Sequence, residues 1–131
     1  MTISVGDSVP STIFKKLGSD GIQDVPAEDY CRGRRVVLFA VPGAFTPTCS
    51  AQHLPSYLSN AEALRGKGID AIACVSVNDP FVMQAWGESQ GVNDTIDLLS
   101  DGNGDFARAT GLTLDGTGFG LGERTTRFSM L

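Results

Sequence analysis

Cysteine is scarce in this sequence: there are three, Cys31, Cys49 and Cys74. The number is odd and the spacings are long, which excludes a disulfide framework and a zinc knuckle. Such cysteines fit a reducing compartment in which a thiol serves as a reagent, so a cytoplasmic location is expected. A Cys-x-x-Cys pair, which a dithiol disulfide reductase would need, is also absent. Basic clusters are lacking beyond Arg32, Arg34 and Arg35, which flank Gly33 and read as a solvated turn. With a net charge of −5, nucleic acid is not an expected partner. The segment Met1 to Asp7 has neither a basic stretch nor a long apolar run, so no signal peptide, membrane span or membrane partner is expected.

What is present is an ordinary globular balance. Apolar residues make up 41% and charged residues 19% of 131 positions, enough for one sizeable core and hence a single domain over residues 1–131. Ile13 and Phe14 before Gly18-Ser19-Asp20-Gly21, with Ile22 and Val25 after it, predict a hairpin that forms a lid or edge. A short helical turn is expected over 26–31, opening at Pro26 and ending at Cys31, which reads as a packed small hydrophobe. The apolar run 36–41 predicts a buried strand.

Beyond it, a helix is expected over 48–66, carrying Leu54, Leu58, Ala61 and Leu64 on one side, kinked at Pro55 and ended by Gly66 and Gly68. A second apolar strand follows over 69–77 and contains Cys74. Asn78-Asp79 then cap a helix with Pro80 at its first position and Phe81, Val82, Ala85 and Trp86 on its inner side. A strand at 95–99, a short helix at 105–110 and a strand beginning at Arg127 complete the order. The alternation predicts an α/β fold with a mainly parallel central sheet flanked by helices on both faces.

Two motifs fail on their spacing. Asp101-x-Asn103-x-Asp105 begins like a calcium loop, but Phe106 and Leu112 stand where glycine and glutamate are required. Gly116-x-Gly118-x-Gly120-x-Gly122 neither follows a clear strand nor opens a helix, so it reads as a flexible loop and not as a dinucleotide site. No metal or organic cofactor is implied.

The chemistry concentrates at Pro42-Gly43-Ala44-Phe45-Thr46-Pro47-Thr48-Cys49-Ser50. Pro42 and Gly43 stop the strand, and Thr46-Pro47 offer a cap and a first-turn proline, so Cys49 falls in the first turn of a helix at the carboxyl end of a core strand. A free thiol has a pKa of about 8.5, and helix N-terminal N–H groups favour the thiolate, the nucleophilic form. Thr46 can turn its hydroxyl toward the same point, and Pro42 can shield it from water. The competing reading is a small buried cysteine. His53, four residues on from Cys49, is one turn along the same face and reads as tuning the site's field. A protease would need a third, orienting residue, and none is evident.

This stretch resembles the Pro-x-x-x-Thr-x-x-Cys signature of the peroxiredoxins in their type II form. So do Val5-Gly6-Asp7, His53-Leu54-Pro55, the run 74–82, Ala85-Trp86-Gly87, Leu99-Ser100-Asp101-Gly102 and Arg127-Phe128, in order along nearly the whole chain. The resemblance implies a thioredoxin-like fold and a thiol-dependent peroxidase acting on hydrogen peroxide and alkyl hydroperoxides. In it Cys49 is the nucleophile, oxidised to a sulfenic acid, with Thr46, Pro42 and Arg127 as the other catalytic residues. Arg127 is preferred to Arg124 because the family places its arginine just before an aromatic residue in this strand. Cys74, 25 residues beyond Cys49, is the candidate resolving cysteine, at a spacing seen in plant-like members; an external reductant, glutathione with glutaredoxin or thioredoxin, is the alternative. A homodimer paired through the edge around the site is implied as well. Relatives run on through a further strand and helix, so the chain resembles a C-terminally short version. The alternative function is a redox-sensing or holdase-like interaction protein with poor turnover; a thioredoxin-type reductase is disfavoured because Thr46 stands where its first cysteine would be.

Overall fold

The computed structural model describes residues 2–46, 54–92 and 95–131. The expected hairpin forms from β1 (Ile13–Gly18) and β2 (Gly21–Pro26), with Gly18 opposite Gly21. Gly21 closes the turn at φ 107°, a conformation glycine takes without steric cost. A one-turn helix, α1 (Ala27–Cys31), starts directly after Pro26. Then come β3 (Val36–Ala40), α2 (Leu54–Gly66), β4 (Ala71–Ser76), α3 (Pro80–Gln90), β5 (Asp97–Ser100) and α4 (Asp105–Thr110). The chain continues through β6 (Thr113–Asp115), β7 (Glu123–Thr125) and β8 (Phe128–Met130).

Six strands form one sheet in the order β2-β1-β5-β4-β3-β8. Its centre is parallel, β3 with β4 and β4 with β5, as the strand–helix alternation requires. The flanks are antiparallel, β1 against β5 and β8 against β3. The hairpin thus supplies one edge and the strand after Arg127 the other.

Both faces of the centre are covered, which is why its strands read as continuous apolar runs. Phe39, Val41, Ile72, Cys74 and Leu98 face α2 and α3, where they pack with Leu54, Ala61, Met83 and Trp86. The alternate residues Leu38, Ala40, Ala73, Val75 and Leu99 face α1 and α4 through Ala27 and Phe106, together with Phe14 of β1. Burying a residue such as Phe39 contributes about 1.5–3 kcal/mol. Leu58 and Leu64 lie partly buried against the first cluster, on the side of α2 that their spacing predicts. A kink before Pro55 would fall on residues outside those described.

The inner face of α3 differs from expectation. Phe81 is 59% exposed, Ala85 is exposed, and the helix buries Pro80, Met83, Trp86 and Gly87. The cap sets this phase: the Asp79 side chain accepts from the Val82 N–H at 2.8 Å, Pro80 packs inward at the first position, and residues three, six and seven further on follow it. Gly87 allows the close approach, since a Cβ there would lie 2.7 Å from Leu98 Cδ1.

The glycine-rich stretch is more ordered than expected. It joins a two-stranded ribbon, β6 against β7, through a 3-10 turn at Thr117–Phe119, and the Gly116 N–H donates to the Gly122 carbonyl at 2.7 Å. Asp101 anchors the start of α4, where its two carboxylate oxygens accept from the N–H groups of Phe106 and Ala107, each at 3.0 Å. Among the described residues no helix is long and apolar enough to cross a membrane.

Candidate active site

The carboxyl ends of β3, β4 and β5 meet the turn that follows β3. The Val41 N–H still donates to the Val75 carbonyl at 3.1 Å, continuing the ladder; Pro42 has no N–H to offer and the ladder stops. From there the turn 42–46 is held by side chains. The Ala44 N–H donates to Asn78 Oδ1 at 2.9 Å, and the Thr46 hydroxyl donates to the Gly43 carbonyl at 2.6 Å. Phe45, between them, has φ 63° and is the one non-glycine in the left-handed region among the described residues. For a bulky residue this costs about 1–2 kcal/mol, which the bonds on either side must offset.

The Thr46 bond has a chemical consequence. A hydroxyl has one proton and two lone pairs. With the proton directed to Gly43, the group can still accept, so it can receive a hydrogen bond from a proton-bearing ligand. Pro42 is half-buried at the rim of the same turn. Cys49 and His53, expected as nucleophile and tuning residue, lie outside the described residues.

Two arginines lie on the β7–β8 segment. Arg124 is half-buried; its Nε donates to the Leu121 carbonyl at 2.8 Å and its Nη1 to the Val77 carbonyl at 3.1 Å. The same Nη1 lies 3.3 Å from where a Gly43 Cβ would stand, so glycine lets the guanidinium and the turn pack together. Arg127 is exposed and precedes Phe128, which pairs with Ala40. Phe128 and Met130 pack on the α1/α4 face; continued alternation puts Arg127 on the other face, beside the end of β3 and on the side of α2. In the sequence the two arginines stand without the contacts that separate them, and Asn78 reads as part of a helix cap and of the run 74–82, with no tie to the turn after β3.

Cys74 lies in the middle of β4, fully buried on the α2 face. Cys31 ends α1, half-buried, and burial pushes its thiol pKa up while the nearby Arg34 partly opposes the shift. That direction disfavours a thiolate and suits the packing role expected of it. Arg34 itself folds back to donate to the Tyr30 carbonyl and lies 4.5 Å over the Tyr30 ring, so the arginine turn is anchored, not merely solvated.

A family model described as Redoxin matches residues 4–131. The chain is 48% identical over 130 residues to peroxiredoxin-2D of Arabidopsis thaliana, covering 98% of this chain and 80% of that one. It is also 48% identical over 134 residues to the chloroplastic peroxiredoxin-2E of the same plant, where it covers 99% of itself but spans only 57% of that relative's length. Among solved structures, reduced Prx3 of Vibrio vulnificus in complex with hydrogen peroxide superposes with a TM-score of 0.95 at 47% identity, over 98% of this chain and 80% of that one. The fold is therefore thioredoxin-like, and the class is that of the redoxins. Within that class the chain belongs to the type II peroxiredoxins, which are thiol peroxidases.

Proposed function

We propose that the chain, acting as one domain, reduces hydrogen peroxide and small alkyl hydroperoxides at Cys49, and that glutathione with glutaredoxin, or thioredoxin, returns the cysteine to its thiol. The observation that carries this reading is the Thr46 hydroxyl: its proton is committed to Gly43, leaving an acceptor three residues before the cysteine. The Cys49 thiolate attacks the peroxide oxygen that bears hydrogen, and Thr46 accepts the bond from that hydrogen and orients it. A sulfur–oxygen bond forms as the O–O bond breaks. The electron pair departs on the second oxygen, which takes up a proton and leaves as water or alcohol, and the sulfur is oxidised to a sulfenic acid.

Charge grows on the departing oxygen. Fixed cations and N–H donors stabilise it, and Arg127, on the α2 side of the sheet, is assigned this role, with Arg124 supporting the turn from behind. Pro42 limits access of water, and His53 tunes the local field. A thiol of the reductant then attacks the sulfenic sulfur and releases water, and a second thiol frees Cys49 from the mixed disulfide. Cys74 is buried away from solvent, which favours the external thiol over an internal resolving step. A cytoplasmic, reducing compartment fits this recycling. The exposed Phe45 and Phe81, at 52% and 59%, lie at the carboxyl edge of the sheet and support pairing of two copies through that edge.

The test is stopped-flow oxidation of the reduced protein, followed by Trp86 fluorescence and by mass spectrometry of the trapped product. Trp86 packs in the same cluster as Leu54 of α2, so it reports on the helix that follows Cys49. Stoichiometric oxidation at Cys49, orders of magnitude faster than a free thiol, is expected. A rate equal to that of a free thiol would replace the peroxidase with the redox-sensing alternative.

A further inference from the structure

The turn 42–46 carries a strained residue and a hydroxyl whose direction matters, yet its only tie to the described neighbouring strands through a side-chain acceptor is Asn78. We infer that Asn78 is the positioning residue of this site, setting the Thr46 acceptor through the Ala44 amide; the inference rests on the peroxidase reading above.

The orientation of the Asn78 carboxamide follows from its partners. The Ala44 N–H can only donate, so the atom facing it at 2.9 Å is the oxygen. The same oxygen accepts from the Ser76 hydroxyl, which is fully buried. A buried hydroxyl without a partner is costly, so this second bond locks the carboxamide rather than leaving it to rotate. The Asn78 main chain is fixed as well: its carbonyl accepts from the Ser100 hydroxyl, and that hydroxyl accepts from the Gly102 N–H at 3.1 Å. Asn78 thus joins the ends of β4 and β5 to the turn leaving β3.

The path from Asn78 to Thr46 is short. Ala44 is held by Asn78, Phe45 takes the left-handed conformation, and Thr46 closes back on Gly43. Without the Ala44 bond, the turn can relax the strain at Phe45, and the acceptor at Thr46 drifts. Peroxide reduction requires sulfur, both oxygens and the acceptor to be aligned, and a shift of about 1 Å in such geometry can cost on the order of a hundredfold in rate. Alkylation of the same thiolate by iodoacetamide requires no such acceptor. That contrast separates positioning from general loosening.

The experiment compares wild type, Asn78→Ala and Asn78→Asp in three readouts: the peroxide rate constant and the iodoacetamide rate constant, both at their high-pH plateaus, and amide hydrogen exchange at Ala44. Asn78→Ala is expected to lower the peroxide rate about 10- to 100-fold, leave alkylation within about twofold, and speed exchange at Ala44. Asn78→Asp keeps an oxygen that can accept from both Ala44 and Ser76, so it should restore the plateau peroxide rate and the protection of Ala44. An unchanged peroxide rate in Asn78→Ala, or an equal fall in both rates with no rescue by Asn78→Asp, overturns the inference. Should wild type react with peroxide no faster than a free thiol, the peroxidase reading falls, while exchange at Ala44 still decides whether Asn78 holds the turn.

Discussion

Cys74 stands directly across from Phe39 on the neighbouring parallel strand, and both are fully buried beneath α2. A disulfide from it would need Cα atoms within about 7 Å and exposure of a thiol that is fully buried, whereas recycling through an external thiol needs neither. In Cys74→Ala, steady-state peroxide turnover with glutathione and glutaredoxin, or with thioredoxin, should stay within about twofold of wild type, while the small cavity costs about 1 kcal/mol in urea unfolding. A tenfold loss of turnover with the fold intact would instead make Cys74 the resolving cysteine.

Thr46 offers a cleaner test of the acceptor. Thr46→Val keeps the shape and removes both the bond to Gly43 and the lone pairs; Thr46→Ser keeps the hydroxyl. The peroxide rate constant should fall about 10²–10³-fold in Thr46→Val and much less in Thr46→Ser. Comparable rates in the valine and serine variants would mean that the hydroxyl takes no part in orienting peroxide.

The parts of this architecture that the sequence displays are those set by burial. Val36 to Val41 and Ala71 to Val75 are apolar throughout because each strand is covered on both faces, and together with the strand–helix alternation that pattern predicts a parallel centre. Asp79-Pro80 predicts the start of α3, yet the side on which Phe81 falls depends on the helix phase, and Pro80 packing inward turned Phe81 to solvent. The β6–β7 ribbon was hidden because its strands are three residues long and largely exposed, with no alternation to read. Within the site, Thr46 and Pro42 were visible as turn chemistry, whereas the proton donated to Gly43, the Asn78 bond and the two contacts of Arg124 exist only once separate strands are side by side.

Asp101 predicts a pH effect on stability. Burial raises its pKa above the ordinary 3.8, outweighing the bonds from the Phe106 and Ala107 amides that lower it. An acid held above its unfolded value binds its proton more tightly in the folded chain, so its contribution is complete below the unfolded pKa and is lost as pH rises through the raised one. Measured by urea unfolding across a pH series, the stability of wild type relative to the non-titrating Asp101→Asn should therefore decline as pH rises from below 3.8 through the raised pKa. A relative stability that climbs with pH would show that the two amide bonds outweigh burial.

Arg124 and Arg127 should separate by what each variant loses. Arg124 is half-buried and donates to two main-chain carbonyls, those of Leu121 and Val77. Hydrogen bonds from a charged donor contribute about 1.5–3 kcal/mol, so Arg124→Ala should lower stability by about that much and slow peroxide reduction through a loosened turn. Lysine at 124 should restore only part of it, because a single ammonium cannot reproduce the forked geometry. Arg127 is exposed at the end of β3, so Arg127→Ala should cost less stability yet lower the peroxide rate constant about a hundredfold through lost charge stabilisation. Unfolding midpoints and stopped-flow rates on the same two variants decide between these roles. A larger rate loss in Arg124→Ala, with Arg127→Ala nearly silent, would move the catalytic cation to Arg124 and leave Arg127 as a surface residue.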